Sequence, residues 1–318
     1  MIYTDPINPI DATRSSKALA CVALALASLF WAGNYIVGRG LHDAIPPLAL
    51  TFFRWFVASL LLAPFAIASL YRHRAVLRAH WKKLALLGAV GIGLHNALAY
   101  VGLNYTTATN GVILNSTIPV MIIALAWLVT GQRLSRLALF GVGLSLAGVL
   151  VILSEGSLAT LTSLRLNAGD LLILASMAMW AFYSVLLKWR PAALGDVPFL
   201  FVLLVAGDVA VLPFWLAEMA AGHTIRWSPQ VFGGILYVAL FSGVLAYLFW
   251  NRGVRIIGAS VAGVFVHLMP VFGLLLAWLV LGERLAPHHL AGIVAIVAGI
   301  ALTTSATWPK SHKVAIGD

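Results

Sequence analysis

Ten apolar runs of 17 to 24 residues, joined by short polar connections, take up nearly all of this 318-residue chain. A bilayer core about 30 Å thick is crossed by about 20 apolar residues in a helix, and only a helix or a closed barrel satisfies its own backbone there. The runs at 18–38, 47–70, 84–103, 107–130, 137–153, 168–187, 197–220, 231–251, 259–281 and 287–305 therefore read as transmembrane helices. The first is too long for a signal peptide and is read as a retained span. With 62% hydrophobic and 9% charged residues, against about 25% charged in an ordinary soluble domain, the chain has too little polar surface for a water-soluble enzyme. The net charge of +10 falls in clusters between the runs rather than on one folded face, so no nucleic-acid partner is expected. Cys21 is alone and sits inside the first run, which leaves no disulfide framework or cysteine metal site, and no cofactor is expected.

Positive residues are retained on the cytoplasmic side of a membrane protein. With the N-terminus inside, the inner segments hold 15 Lys and Arg residues and the outer segments 4. Both termini are accordingly expected in the cytoplasm, which requires an even number of spans.

The sequence also repeats. Residues 119–134 match residues 270–285 at 10 of 16 positions, from Pro119-Val120 and Trp127 through Gly131 and Arg133 to their counterparts Pro270-Val271, Trp278, Gly282 and Arg284. The offset is 151, and Gly141, Ala147 and Gly148 recur at it as Gly292, Ala298 and Gly299. Each copy holds five spans. Five is odd, so the second copy enters the membrane in the opposite sense, giving an inverted repeat. The expected fold is an all-α integral membrane protein of ten transmembrane helices, two inverted five-helix repeats around a central cavity. The expected organisation is a cytoplasmic tail at 1–17, a first repeat at 18–153, a periplasmic linker at 154–167, a second repeat at 168–305 and a cytoplasmic tail at 306–318.

The repeated Ala-Trp-Leu-Val-x-Gly-Gln/Glu-Arg-Leu motif, the Gly-rich last helix of each half, Phe53-Arg54-Trp55 and Tyr105-Thr106-Thr107-Ala108 together resemble the drug/metabolite transporter superfamily, EamA type. Within it, the chain looks most like bacterial exporters of aromatic amino acids that also pass the dication paraquat. The resemblance implies a multi-pass protein of the bacterial inner membrane, with a cavity lined mainly by the first four helices of each half, and efflux.

Polar groups are costly in hydrocarbon and mark candidate pathways. Trp31, Asn34 and Tyr35 share one face of the first span, and Trp180, Tyr183 and Ser184 have the same spacing in the sixth. These faces serve either helix contact or a small molecule, and repetition of the spacing in both halves favours the latter. His95, Asn96 and Tyr100 lie in the third span; Asn96 and Tyr100 fall in register with Tyr247 and Asn251 as a reversed amide–phenol pair. Asn115 precedes Pro119 and His267 precedes Pro270; proline frees a carbonyl one turn earlier, so both polar groups serve either the kinks or a discontinuous site. Arg54, Pro119, Asp208 and Pro270 are assigned gating or structural roles. Arg54 and Asp208 reach similar depths, about 10 and 16 Å at about 1.5 Å per residue; either they pair, or Arg54 snorkels and Asp208 is neutral.

A lining of Trp, Tyr and Asn with little charge suits a ring-bearing molecule with a few hydrogen-bonding groups, and aromatic faces also hold flat cations. The expected activity is export of aromatic or neutral amino acids and related metabolites by alternating access, with paraquat-like cations as further ligands and the lipid bilayer as the surrounding partner. A related efflux transporter for a drug, polyamine or nucleoside is the rival reading. His95, His267 and Asp208 are the available proton carriers, and facilitated diffusion is the alternative to coupling.

Overall fold

The computed structural model describes residues 13–103, 105–106, 108–157, 159, 167–281 and 286–306. Within them are ten helices long and apolar enough to cross a membrane: α1 (Arg14–Gly38), α2 (Pro47–Arg72), α3 (Arg74–Gly102), α4 (Ile113–Thr130), α5 (Arg136–Leu153), α6 (Ala168–Trp189), α7 (Asp196–Ala220), α8 (Pro229–Ile257), α9 (Ala259–Leu276) and α10 (Pro287–Ser305). The starts follow capping chemistry. Ser135 Oγ accepts from Ala138 N at 3.2 Å, Ser228 Oγ from Val231 N at 3.3 Å, and Asn167 and Asp170 cap α6 reciprocally. The N-terminus of α2 follows Pro46 and has no cap of its own. Instead Glu218, at the far end of α7, accepts from Leu48 N and Ala49 N at 3.1 and 2.8 Å, a carboxylate placed on a helix N-terminus.

Two helices run well beyond their apolar runs. α3 begins ten residues before 84, because Arg74, Arg78, Lys82 and Lys83 continue the helix beyond the hydrocarbon with their apolar stems along it. α8 likewise extends past Asn251 to carry Arg252 and Arg255.

Each helix of one half meets a helix of the other under a single pseudo-symmetry. α1 packs on α8 as α6 packs on α3, while α2 meets α7, α4 meets α9, and α5 meets α10. The last pair is antiparallel and pressed backbone to backbone: Gly141 lies against Gly299 and Gly148 against Gly292, where a methyl group on any of the four would overlap a carbonyl. The lipid-facing surface is apolar, with Phe65, Leu128, Val209 and Leu279 exposed. The motif tryptophans Trp127 and Trp278 are also exposed. Their recurrence therefore reflects matching lipid-facing positions.

Candidate functional site

The regular helices are interrupted at matching places in the two halves. α3 turns π-helical over Ala89–Leu94 and α8 over Val238–Leu245, and α4 and α9 break just before Pro119 and Pro270. A π turn or a proline break leaves carbonyls free for other donors. Here those donors come from the opposite half. Gly91 O accepts from Tyr247 Oη at 3.1 Å, while Ser242 O, its repeat counterpart, accepts from Trp31 Nε1 at 3.2 Å and Arg54 Nη2 at 3.0 Å. At the proline breaks, Ser116 O faces His267 Nε2 at 3.0 Å, again between repeat-equivalent positions.

These irregular segments surround a cavity between the two halves. The first half supplies Trp31 and Asn34 from α1, Arg54 from α2, His95, Asn96, Ala99 and Tyr100 from α3, and Asn115 and Ile118 from α4. The second half supplies Met177 and Trp180 from α6, Tyr247 from α8, and Val266 and Met269 from α9. Trp31 and Trp180 meet edge to face with centroids 5.2 Å apart, and Tyr247 stands 5.5 Å from Trp180. The rings form a rigid aromatic corner. Asn96, Tyr100 and Asn115 are half-buried in the wall, whereas Trp31, Asn34, Trp180 and Tyr247 are buried.

Arg54 is 2% exposed. Its Nη1 donates to Asn96 Oδ1 at 3.4 Å and Asn34 Oδ1 at 3.5 Å, and its guanidinium stacks over the Trp55 ring at 4.2 Å. Among the described residues no ion pair includes it. The pairing with Asp208 weighed from the sequence is therefore not formed: Asp208 lies off the cavity wall, with one buried oxygen that has no hydrogen-bond partner.

His95 Nδ1 faces Ser176 O at 2.9 Å and Ser176 Oγ at 2.7 Å. A carbonyl only accepts, so Nδ1 carries the proton and Nε2 is the ring's acceptor. His267 lies away from the lining, held between Ser116 O and Ser145 Oγ.

The tyrosine and asparagine of the sequence pairs, Tyr100 and Asn251, find partners on another helix of their own half, Asn34 and Tyr183, and the two amide–phenol pairs so formed differ. Asn34 Nδ2 and Tyr100 Oη are 3.5 Å apart, on the cavity wall. Tyr183 Oη donates to Asn251 Oδ1 at 2.7 Å, and both side chains are buried behind the aromatic corner. Beside the second pair, Ser184 Oγ, Trp250 Nε1 and Asn251 Nδ2 are buried without hydrogen-bond partners among the described residues. Beyond it, Asp196 holds both Arg190 and Arg255. Burial lowers the pKa of Arg190 and Asp196 opposes that shift.

Of the residues singled out from sequence, Trp31, Asn34, Arg54, His95, Asn96, Tyr100, Asn115, Trp180 and Tyr247 line the cavity. Tyr183, Ser184 and His267 lie buried outside it, and Pro119 and Pro270 sit in the broken helices. The side chain of Tyr35 and residues 282–285, with Arg284, lie outside the described residues. Sequence reading missed Met177 and Ser242. Met177 stands one turn before Trp180 on its face, and Ser242 is the repeat counterpart of Gly91, so both were within reach of the spacing argument.

The EamA-like transporter family model matches residues 18–154 and again 167–305. A transporter of Archaeoglobus fulgidus described as uncharacterized is 32% identical over 299 residues, covering 91% of this chain and 97% of its own. The uncharacterized transporter YyaM of Bacillus subtilis is 29% identical over 73% of this chain and 75% of its own. The uncharacterized inner membrane transporter YedA of Escherichia coli K12 is 25% identical, covering 89% of each chain. A solved crystal structure superposes with a TM-score of 0.75 at 19% identity, covering 92% of this chain and 98% of that one, and so shares its fold. Two family matches in tandem, each over one five-helix half, place this multi-pass membrane protein in the EamA-like transporter family.

Proposed function

We propose that the chain exports aromatic or other neutral amino acids and related metabolites across the bacterial inner membrane, through the cavity between its halves and by alternating access. The reading is carried by the unequal state of the two amide–phenol pairs. Inverted repeats that exchange conformations exchange which end of the pathway is open. In this state the Asn34–Tyr100 pair is stretched to 3.5 Å on the cavity wall and the Tyr183–Asn251 pair is closed at 2.7 Å and buried. The exchange closes the first and parts the second. Parting the second brings water to Ser184 Oγ, Trp250 Nε1 and Asn251 Nδ2, whose burial without partners counts against the closed arrangement. By the distribution of Lys and Arg, the termini and the Asp196 clasp lie on the cytoplasmic side. The described state is then closed to the cytoplasm and open toward the outer side.

The aromatic corner of Trp31, Trp180 and Tyr247 supplies a surface for a ring, while Asn96, Asn115 and His95 Nε2 supply hydrogen-bonding groups around it. Counterflow of labelled phenylalanine and leucine in proteoliposomes tests the reading. Saturable exchange that Asn34→Trp abolishes supports it, and exchange no faster than in protein-free vesicles contradicts it.

A further inference from the structure

Arg54 is the one charged group in the cavity wall among the described residues. A guanidinium out of water is costly unless something compensates its charge. Among the described residues its partners are two amides, a backbone carbonyl and the face of Trp55, all neutral, and its Nε has no hydrogen-bond partner. These contacts satisfy donors and fix the plane of the group without cancelling its charge. A planar fork of N–H donors fits the two oxygens of a carboxylate. No carboxylate among the described residues lines the cavity, so the wall offers an ammonium group no countercharge.

We propose that the cavity selects molecules that bring a carboxylate to Arg54 and lay an apolar or aromatic body against Trp31 and Trp180, the amino group contributing little. This rests on the cavity being the transport site and narrows its substrate class to aromatic and apolar carboxylates, deaminated acids included. Amines lacking a carboxylate, and dications such as paraquat, are disfavoured by the same charge.

Titration calorimetry of the full chain in detergent with 3-phenylpropionate, L-phenylalanine, phenethylamine and paraquat tests the proposal. The expected result is that 3-phenylpropionate binds at least about tenfold more tightly than phenethylamine, a difference of about 1.4 kcal/mol, with phenylalanine close to the acid and paraquat weakest. Arg54→Gln abolishes that preference and Arg54→Lys keeps part of it. Phenethylamine or paraquat binding the wild-type chain as tightly as 3-phenylpropionate overturns the proposal, as does binding of none of the four. Because the wild-type panel alone decides, a variant that fails to fold leaves the test intact. Counterflow separates the two readings. Phenylalanine exchange without charge preference defeats only the role of Arg54, and selective binding of the acid without exchange defeats only transport.

Discussion

The two amide–phenol contacts use like residues on corresponding helix faces, yet one is stretched on a cavity wall and the other is closed in the core. Asn34 and Tyr183 hold the middle place in the corresponding faces of α1 and α6, and Tyr100 and Asn251 match at the 151 offset. The chemistry is shared with donor and acceptor exchanged; the distances are 3.5 and 2.7 Å. What separates them is their surroundings. In the first half Arg54 draws the Asn34 carbonyl toward itself and Tyr100 stays half-buried. In the second half the Tyr183 ring is wedged against Gly91, whose missing side chain leaves its space. An inverted repeat thus provides similar frameworks, and unequal filling sets the two pairs apart.

Gly91 is where the difference is most easily broken. Its counterpart is Ser242, and giving both halves the same residue by Gly91→Ser drives a side chain into the Tyr183 ring. The expected cost is about 1–3 kcal/mol against the described state, read as a lowered midpoint in detergent thermal unfolding, whereas Ser242→Gly is expected to be milder. Next comes Asn251→Ala, which leaves the Tyr183 hydroxyl buried without a partner, a cost of about 1–3 kcal/mol. It is expected to raise maleimide labelling of Ser184→Cys in a Cys21→Ala background severalfold. Glu218→Gln, which weakens the cap on α2 at the end carrying the open pair, is expected to cost about 1 kcal/mol without raising labelling at Ser184→Cys. The smallest effect is expected for Tyr100→Phe, whose long, half-buried contact contributes under about 0.5 kcal/mol to stability. An equal loss for Tyr100→Phe and Tyr183→Phe would erase the contrast between the pairs.

Most of the framework was legible in the sequence because its causes are local. Apolar length fixed the spans, and a single offset related Gly141 to Gly292 and Gly148 to Gly299, four glycines that the fold brings together crosswise, Gly141 against Gly299 and Gly148 against Gly292. The i, i+3, i+4 faces led to Trp31, Asn34 and Trp180 because a helix places such residues together whatever it packs against. What periodicity does not reveal is which neighbour fills the space opposite. Tyr183 and Ser184 have the spacing of Asn34 and Tyr35, yet the glycine at 91 lets the Tyr183 ring pack into α3 rather than onto the cavity wall. Arg54 and Asp208 sit at similar depths, but depth does not report direction around a helix axis. The π turns at Ala89–Leu94 and Val238–Leu245 left only the loose cue of Gly91, Gly93 and Gly243, so the cross-half bonds to Gly91 O and Ser242 O were not foreseen.

Reciprocal accessibility at the two pairs tests the central claim most directly. Ala99→Cys and Ser184→Cys, each in the Cys21→Ala background and each beside one pair without belonging to it, are labelled with a membrane-impermeant maleimide from either side of oriented vesicles, with and without saturating phenylalanine. The account expects position 99 to react from the outer side and position 184 from the cytoplasmic side, with one rising as the other falls. Labelling of both from the same side, or in parallel under every condition, would contradict it.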